Sequence, residues 1–147
     1  MCIRDRFDVG NGLNRSGKRL LTVGTDVSVG KMFTALAIEQ EMNKRGFDAD
    51  FRATGQTGIF IAGSGVSIDA VVADFISGAV EWLCPENSEN HWDIVEGQGS
   101  LFNVSYAGVT LGLIHGSQPD ALVVCHEAGR PHTVSYTHLT LPTIITV

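Results

Sequence analysis

At 147 residues, with 44% apolar and only 18% charged, the chain has the size and composition of one globular domain able to bury a core. Ten basic against sixteen acidic residues give a net charge of -6, which argues against the clustered Lys and Arg of a nucleic-acid-binding surface, and no apolar run approaches the roughly 20 residues of a bilayer span. With no charged-then-apolar leader, and with Cys2, Cys84 and Cys125 an odd set without paired spacing, the expectation is a cytoplasmic protein with reduced thiols, no disulfide framework and no zinc site.

Both ends look foreign to the middle. The opening MCIRDR and the closing VSYTHLTLPTIITV (134–147) resemble translated sequencing-adapter tails of the kind found on chains from metagenomic assemblies, so the natural sequence is expected to run from Phe7 to about Thr133, a fragment cut at both ends. The other reading of 134–147 is a Thr-rich edge strand. From Phe7 to Lys18 the chain is rich in Gly, Asn and Ser without periodicity and reads as a linker.

Structure is expected to start at Arg19–Val23, a short apolar run that reads as a buried strand. It feeds Gly24-Thr25-Asp26-Val27-Ser28-Val29-Gly30-Lys31, and the helix after it carries Met32, Ala35, Leu36, Ile38 and Met42 on one face until Gly46. Asp48–Ala53 reads as a second strand, residues 54–58 as a turn, and 59–68 as a loop or hairpin around Gly63-Ser64-Gly65. A second helix is predicted from Ser67 or Asp69 to about Leu83, with Val72, Phe75, Ile76, Ala79 and Leu83 on one stripe. Trp92–Val95 is a third strand and Ala121–Cys125 a fourth, separated by a helix over Tyr106–His115 whose Gly108 and Gly112 weaken it.

Strands alternating with helices predict an α/β domain, a three-layer Rossmann-like fold of the P-loop type with a mainly parallel sheet. Ligands of such sheets bind beyond the carboxyl ends of the strands. Four polar clusters fall there, at 24–31, 54–58, 96–100 and 126–130, and they are expected to meet.

The loop is where the chemistry is concentrated. Two glycines bracket a turn whose N–H groups can point at an anion, and Lys31 adds charge at a helix N-terminus, so a phosphorylated ligand is expected on residues 24–31. Five residues separate Gly24 from Gly30-Lys31, where the usual pattern has four. The residue after the lysine is Met32, not the Ser or Thr whose hydroxyl reaches Mg²⁺, and a thioether is a poor ligand for a hard cation. Phosphate binding is therefore predicted without a metal ligand at this position.

The loop GTDVSVGK is similar to those of dethiobiotin synthetase and the cobyrinic acid synthases, and Glu96-Gly97 after a strand resembles their metal-binding Glu-Gly. Over Lys18 to Arg130 the chain more closely resembles the D-glutamate N-acetyltransferase family, through LTVGTDVSVGK, FRATGQTGIFIAG, DAVVADFISGAVEWL, DIVEGQGSLF and VTLGLIHGSQPDALVVCHE. That resemblance implies an N-terminal Rossmann-like domain ahead of this P-loop domain, and transfer of acetyl from acetyl-CoA to the amino group of D-glutamate. The pyrophosphate and ribose phosphate of CoA suit a loop of amides plus Lys31.

Strand-end position makes Glu96 and His126 the candidate bases, with the Gly97–Ser100 backbone as candidate oxyanion donors. Arg52, Gln56, Thr57 and Gln98 are candidates for contact with a small-molecule substrate. Each has a plainer reading: Glu96 as a carboxylate capping a turn, His126 as a packed or solvated histidine, Arg52 as a strand arginine, Gln56 and Thr57 as turn residues, and Asp69 as a helix cap. Asp26 either meets a ligand hydroxyl or shapes the loop. Two other functions stay open, an ATP-dependent ligase with Glu96 and Asp26 on Mg²⁺ and a non-catalytic nucleotide-binding module. Homo-oligomerisation is left open too.

Overall fold

The computed structural model describes residues 7–134. The segments 1–6 and 135–147, which carry most of the expected adapter-derived sequence, lie outside the described residues. Four parallel strands form one sheet in the order β2-β3-β1-β4: β1 (Lys18–Gly24), β2 (Ala49–Arg52), β3 (Trp92–Val95) and β4 (Ala121–Cys125). Helix α1 (Lys31–Lys44) lies on one face, and α3 (Ile76–Leu83) and α4 (Ala107–Ser117) on the other, while α2 (Gln56–Ala62) follows β2. This is the three-layer α/β arrangement of a P-loop fold.

Side-chain alternation along the central strands divides the core in two. Leu21 and Val23 of β1 and Val95 of β3 pack with Ile76, Ala79, Val80, Leu83 and Leu113. Ile94 and Ala49 pack the other way onto Ala35, flanked by the half-buried Leu20, Ile38 and Met42. The edge strand β4 departs from the expectation of strands covered on both faces, since Leu122 and Val124 are exposed among the described residues.

The chain between β2 and α3 corrects two expectations. Residues 56–62 are helical, so there is no hairpin around Gly63. The predicted helix from 67 or 69 to 83 is broken into short 3₁₀ turns at Ile68–Ala70 and Ala73–Phe75 before α3 begins at Ile76. The cause is tertiary. Val66 and Ile68 donate N–H groups to Ala53 O (3.0 Å) and Thr54 O (2.9 Å), which pulls this segment onto the end of β2, and the β-branched Val71 and Val72 then run extended. Val72 consequently faces solvent, outside the predicted stripe. Asp69 caps no helix through its side chain.

The arm before β1 is no free linker either. The Arg15 guanidinium is buried and donates to three carbonyls, Glu81 O at 3.1 Å, Cys84 O at 2.5 Å and Gly116 O at 2.7 Å. The Glu81 carboxylate in turn accepts the N–H of Asn11 and of Gly12, and Phe7 meets Trp82 edge-on at 5.5 Å. Charged hydrogen bonds of this kind contribute roughly 1.5–3 kcal/mol each before desolvation is counted. Arg15→Ala is thus expected to lower unfolding free energy by about 2 kcal/mol, read as a shifted urea midpoint at unchanged slope. Cys84 and Cys125 are buried free thiols, and burial pushes Cys84 up to about 12, so it is inert. No helix among the described residues is long and apolar enough to cross a membrane.

Candidate functional site

The loop between β1 and α1 is held at its start by backbone pairing. Thr25 N–H donates to Cys125 O at the end of β4 (3.0 Å), and Leu101 N–H reaches Gly24 O (2.8 Å). Its far end turns through left-handed conformations at Ser28 (φ 57°) and Gly30 (φ 89°), the latter closing onto the helix. Thr34 N–H is the first to reach a helical carbonyl, Gly30 O at 2.9 Å, so helix geometry leaves the donors just ahead of it pointing outward. A cavity of about 530 Å³ opens over these groups. That volume lies within the roughly 300–1,000 Å³ typical of small-molecule sites.

Three of the four strand-end clusters meet there. The lining takes residues 27–33 from the loop and α1, Gly55, Gln56 and Thr57 from the end of β2, and residues 96–99 from the end of β3, with Asp69 added. Lys31 is only 7% exposed, with Nζ donating to Asp26 O at 3.0 Å. Burial holds its ammonium below the ordinary lysine value, against the opposing pull of Cys125 and Asp26. A phosphate arriving at this lysine meets a poorly solvated cation.

Glu96 is the other buried charge on the cavity wall. Its Oε2 accepts N–H from Thr54 (2.9 Å) and Gly55 (3.0 Å), and its Oε1 accepts from Gln98 Nε2 (3.2 Å). Gly58 makes room for it: a Cβ there would stand 2.9 Å from the Glu96 carboxyl carbon. The carboxylate thus ties β2 to β3 and also faces the cavity. Of the expected oxyanion donors, Gly97 N–H is spent on Thr22 Oγ1 (2.9 Å) and Ser100 N–H on Tyr106 O (3.4 Å), which leaves Gln98 and Gly99 as the amides to consider.

The fourth cluster lies behind the loop. His126 is exposed, has Nδ1 3.0 Å from Thr25 Oγ1, and does not line the cavity. Arg130 donates through Nη1 to Asp26 Oδ2 (3.0 Å) and Val27 O (2.9 Å), and pairs with Glu127. Asp26 also accepts from Asn103 Nδ2 (3.1 Å) and from the N–H groups of Val27 (2.8 Å) and Val134 (2.6 Å). Its carboxylate has no exposure and is absent from the cavity lining, so Asp26 shapes the loop and presents no oxygen to a cation in the cavity. Arg52 also turns elsewhere, to Asp93 (2.6 Å) and Asp50 (3.5 Å). Asn103 and Arg130 had no signal as loop supports, because contacts across more than seventy residues leave no local pattern.

The family described as "domain of unknown function (DUF1611_C) P-loop domain" matches residues 8–147. The chain is 61% identical over 140 residues to a protein from Pseudoalteromonas sp named D-glutamate N-acetyltransferase, covering 95% of this chain and 42% of that protein. A protein of the same name from Tritonibacter scottomollicae is 60% identical over 127 residues, covering 86% of this chain and 38% of that one. The chain therefore spans about two fifths of the length of these relatives. The crystal structure of a DUF1611 family protein from Anabaena variabilis ATCC 29413 superposes with a TM-score of 0.87 at 41% identity, over 94% of this chain and 41% of that one.

Proposed function

The chain belongs to the DUF1611 P-loop domain family, and from that membership we propose that it is the P-loop portion of an N-acetyltransferase that moves acetyl from acetyl-CoA to the amino group of D-glutamate. The observation that carries this reading is that a buried lysine on an amide-lined loop and a buried carboxylate open onto one cavity. The relatives' shared name supports the transferred acetyl group and the D-glutamate acceptor, acetyl-CoA is our choice of donor, and because those relatives are longer the activity is proposed for the full-length protein.

In this reading residues 27–31 and the Lys31 ammonium hold CoA phosphates, with Gly24, Thr25 and Asp26 supporting the loop from behind. Met32 is compatible, because charge neutralisation falls to lysine and amides. Gln56, Thr57 and Gln98 are the side chains proposed to contact the amino acid. Glu96 takes one proton from the ammonium, and the freed amine adds to the thioester carbonyl. The tetrahedral intermediate collapses with cleavage of the C–S bond, the second proton lost from the nitrogen passing to the sulfur so that CoA leaves as the thiol. The amides of Gln98 and Gly99 are proposed to receive the oxyanion. We favour Glu96 over His126 as the base because only Glu96 lines the cavity.

Calorimetry and thiol release on the full-length protein test the proposal. CoA is expected to bind without Mg²⁺, and free thiol to appear only when acetyl-CoA and D-glutamate are both present. Mg²⁺-dependent ATP binding tighter than CoA binding would instead support the ligase reading, and CoA binding without turnover the non-catalytic one.

A further inference from the structure

Phe33 is the third residue of α1, one position beyond Met32, and it is 74% exposed. It lines the cavity over the loop. The same ring also lines a second hollow, of about 630 Å³ and mainly apolar, that runs along α1 past Ala37, Ile38 and Met42 to Phe47 and Trp92. Phe33 is thus the shared wall between a polar cavity lined by donors and an apolar trough.

A ligand whose phosphates occupy the loop can extend its remaining bulk past this exposed side chain. A large flat apolar ring left in water at that point loses the burial that most phenylalanines obtain. Stacking of a nucleobase on an aromatic face restores it, and any purine offers a π-face of the right size. We propose that Phe33 is the stacking platform for the purine of an adenine nucleotide whose pyrophosphate lies on residues 27–31, with the base edge lodged in the adjoining trough. The assignment rests on the reading that the cavity takes a phosphorylated ligand. It names adenine as the group recognised next to the phosphates, which CoA and ATP share.

The test compares three probes by calorimetry: inorganic pyrophosphate, ADP and CoA, against the wild type, Phe33→Ala and Phe33→Trp. Phe33→Ala is expected to weaken ADP and CoA about tenfold or more, the scale that base–aromatic stacking supplies, while pyrophosphate changes by less than about twofold. Phe33→Trp should retain ADP affinity. The unchanged pyrophosphate binding doubles as the control for an intact loop. If CoA weakens and ADP does not, the pantetheine arm lies against Phe33 and the purine assignment is wrong. Equal loss for ADP and pyrophosphate, or no loss for either, overturns it as well. A wild type that binds none of the three probes removes the phosphate reading together with this one.

Discussion

Gly97→Ala is expected to remove about 3 kcal/mol or more of stability, against the roughly 5–15 kcal/mol that holds a domain of this kind together. Gly97 lies two residues beyond the last residue of β3, and its N–H is bonded to Thr22 Oγ1 at 2.9 Å on the neighbouring β1. A Cβ at 97 would fall on the Thr22 carbonyl, 2.7 Å from its carbon, and 3.1 Å from Lys31 Cδ. The obstacle is the backbone of a central strand, with β3 on one side and β4 on the other, so no rotamer change relieves it. Strand β1 and the end of β3 have to separate, and the separation reaches Lys31 and Glu96 together. Gly30 offers the contrast. It needs its left-handed backbone but has open space around its Cβ position, so Gly30→Ala is expected to cost only the roughly 1–2 kcal/mol of conformational strain. Urea unfolding of both variants checks the pair, and a Gly97→Ala midpoint equal to that of Gly30→Ala would show that the close approach of β3 to β1 is not what the glycine serves.

The same contrast explains what could be read from the chain alone. Strands β3 and β4 have the bounds expected of them because short apolar runs end abruptly in polar clusters, a local signal. Helix α1 was legible through the spacing of Met32, Ala35, Ile38 and Met42, and the strand-to-helix loop before it through its glycines and lysine. Helix α2 was not. It holds a glycine demanded by the Glu96 carboxylate, and its Phe60 and Ile61 are exposed, so no apolar face betrays it. The break before α3 was hidden for the opposite reason. A convincing stripe was present, and two backbone bonds to the end of β2 overrode it. At the site, the meeting of Lys31, Gln56, Glu96 and Gln98 followed from strand-end logic, whereas the supports of the loop depend on pairings between distant segments.

Those supports carry the second large effect. Asp26→Ala is expected to destabilise the protein by about 3–5 kcal/mol, the cost typical of removing one member of a buried ion pair. The carboxylate is wholly buried between three elements: Arg130 from the segment after β4, Asn103 from the segment after β3, and the loop's own Val27 N–H, with Val134 N–H completing the set. Its loss leaves Arg130, 16% exposed, with Glu127 as its remaining anionic partner. It also frees the loop to lose the shape on which the proposed phosphate binding depends.

The pH dependence distinguishes this account from a loss of packing alone. Burial raises the Asp26 pKa, but the N–H groups of Val134 and Val27, the Asn103 amide and Arg130 together outweigh it and hold the carboxyl below its ordinary value. A folded pKa below the unfolded value of about 3.9 means that the contribution is complete above roughly pH 4 and is lost as pH falls through the folded value. The wild type should therefore lose stability on acidification below about pH 4 more steeply than Asp26→Ala, and the two melting curves should converge there. Parallel curves from pH 7 to pH 3 would assign the carboxylate no electrostatic part in fastening the loop. Steeper acid loss, accompanied by weaker pyrophosphate binding in Asp26→Ala at neutral pH, would show that one buried charge fixes both the fold of this corner and the shape of the proposed anion site.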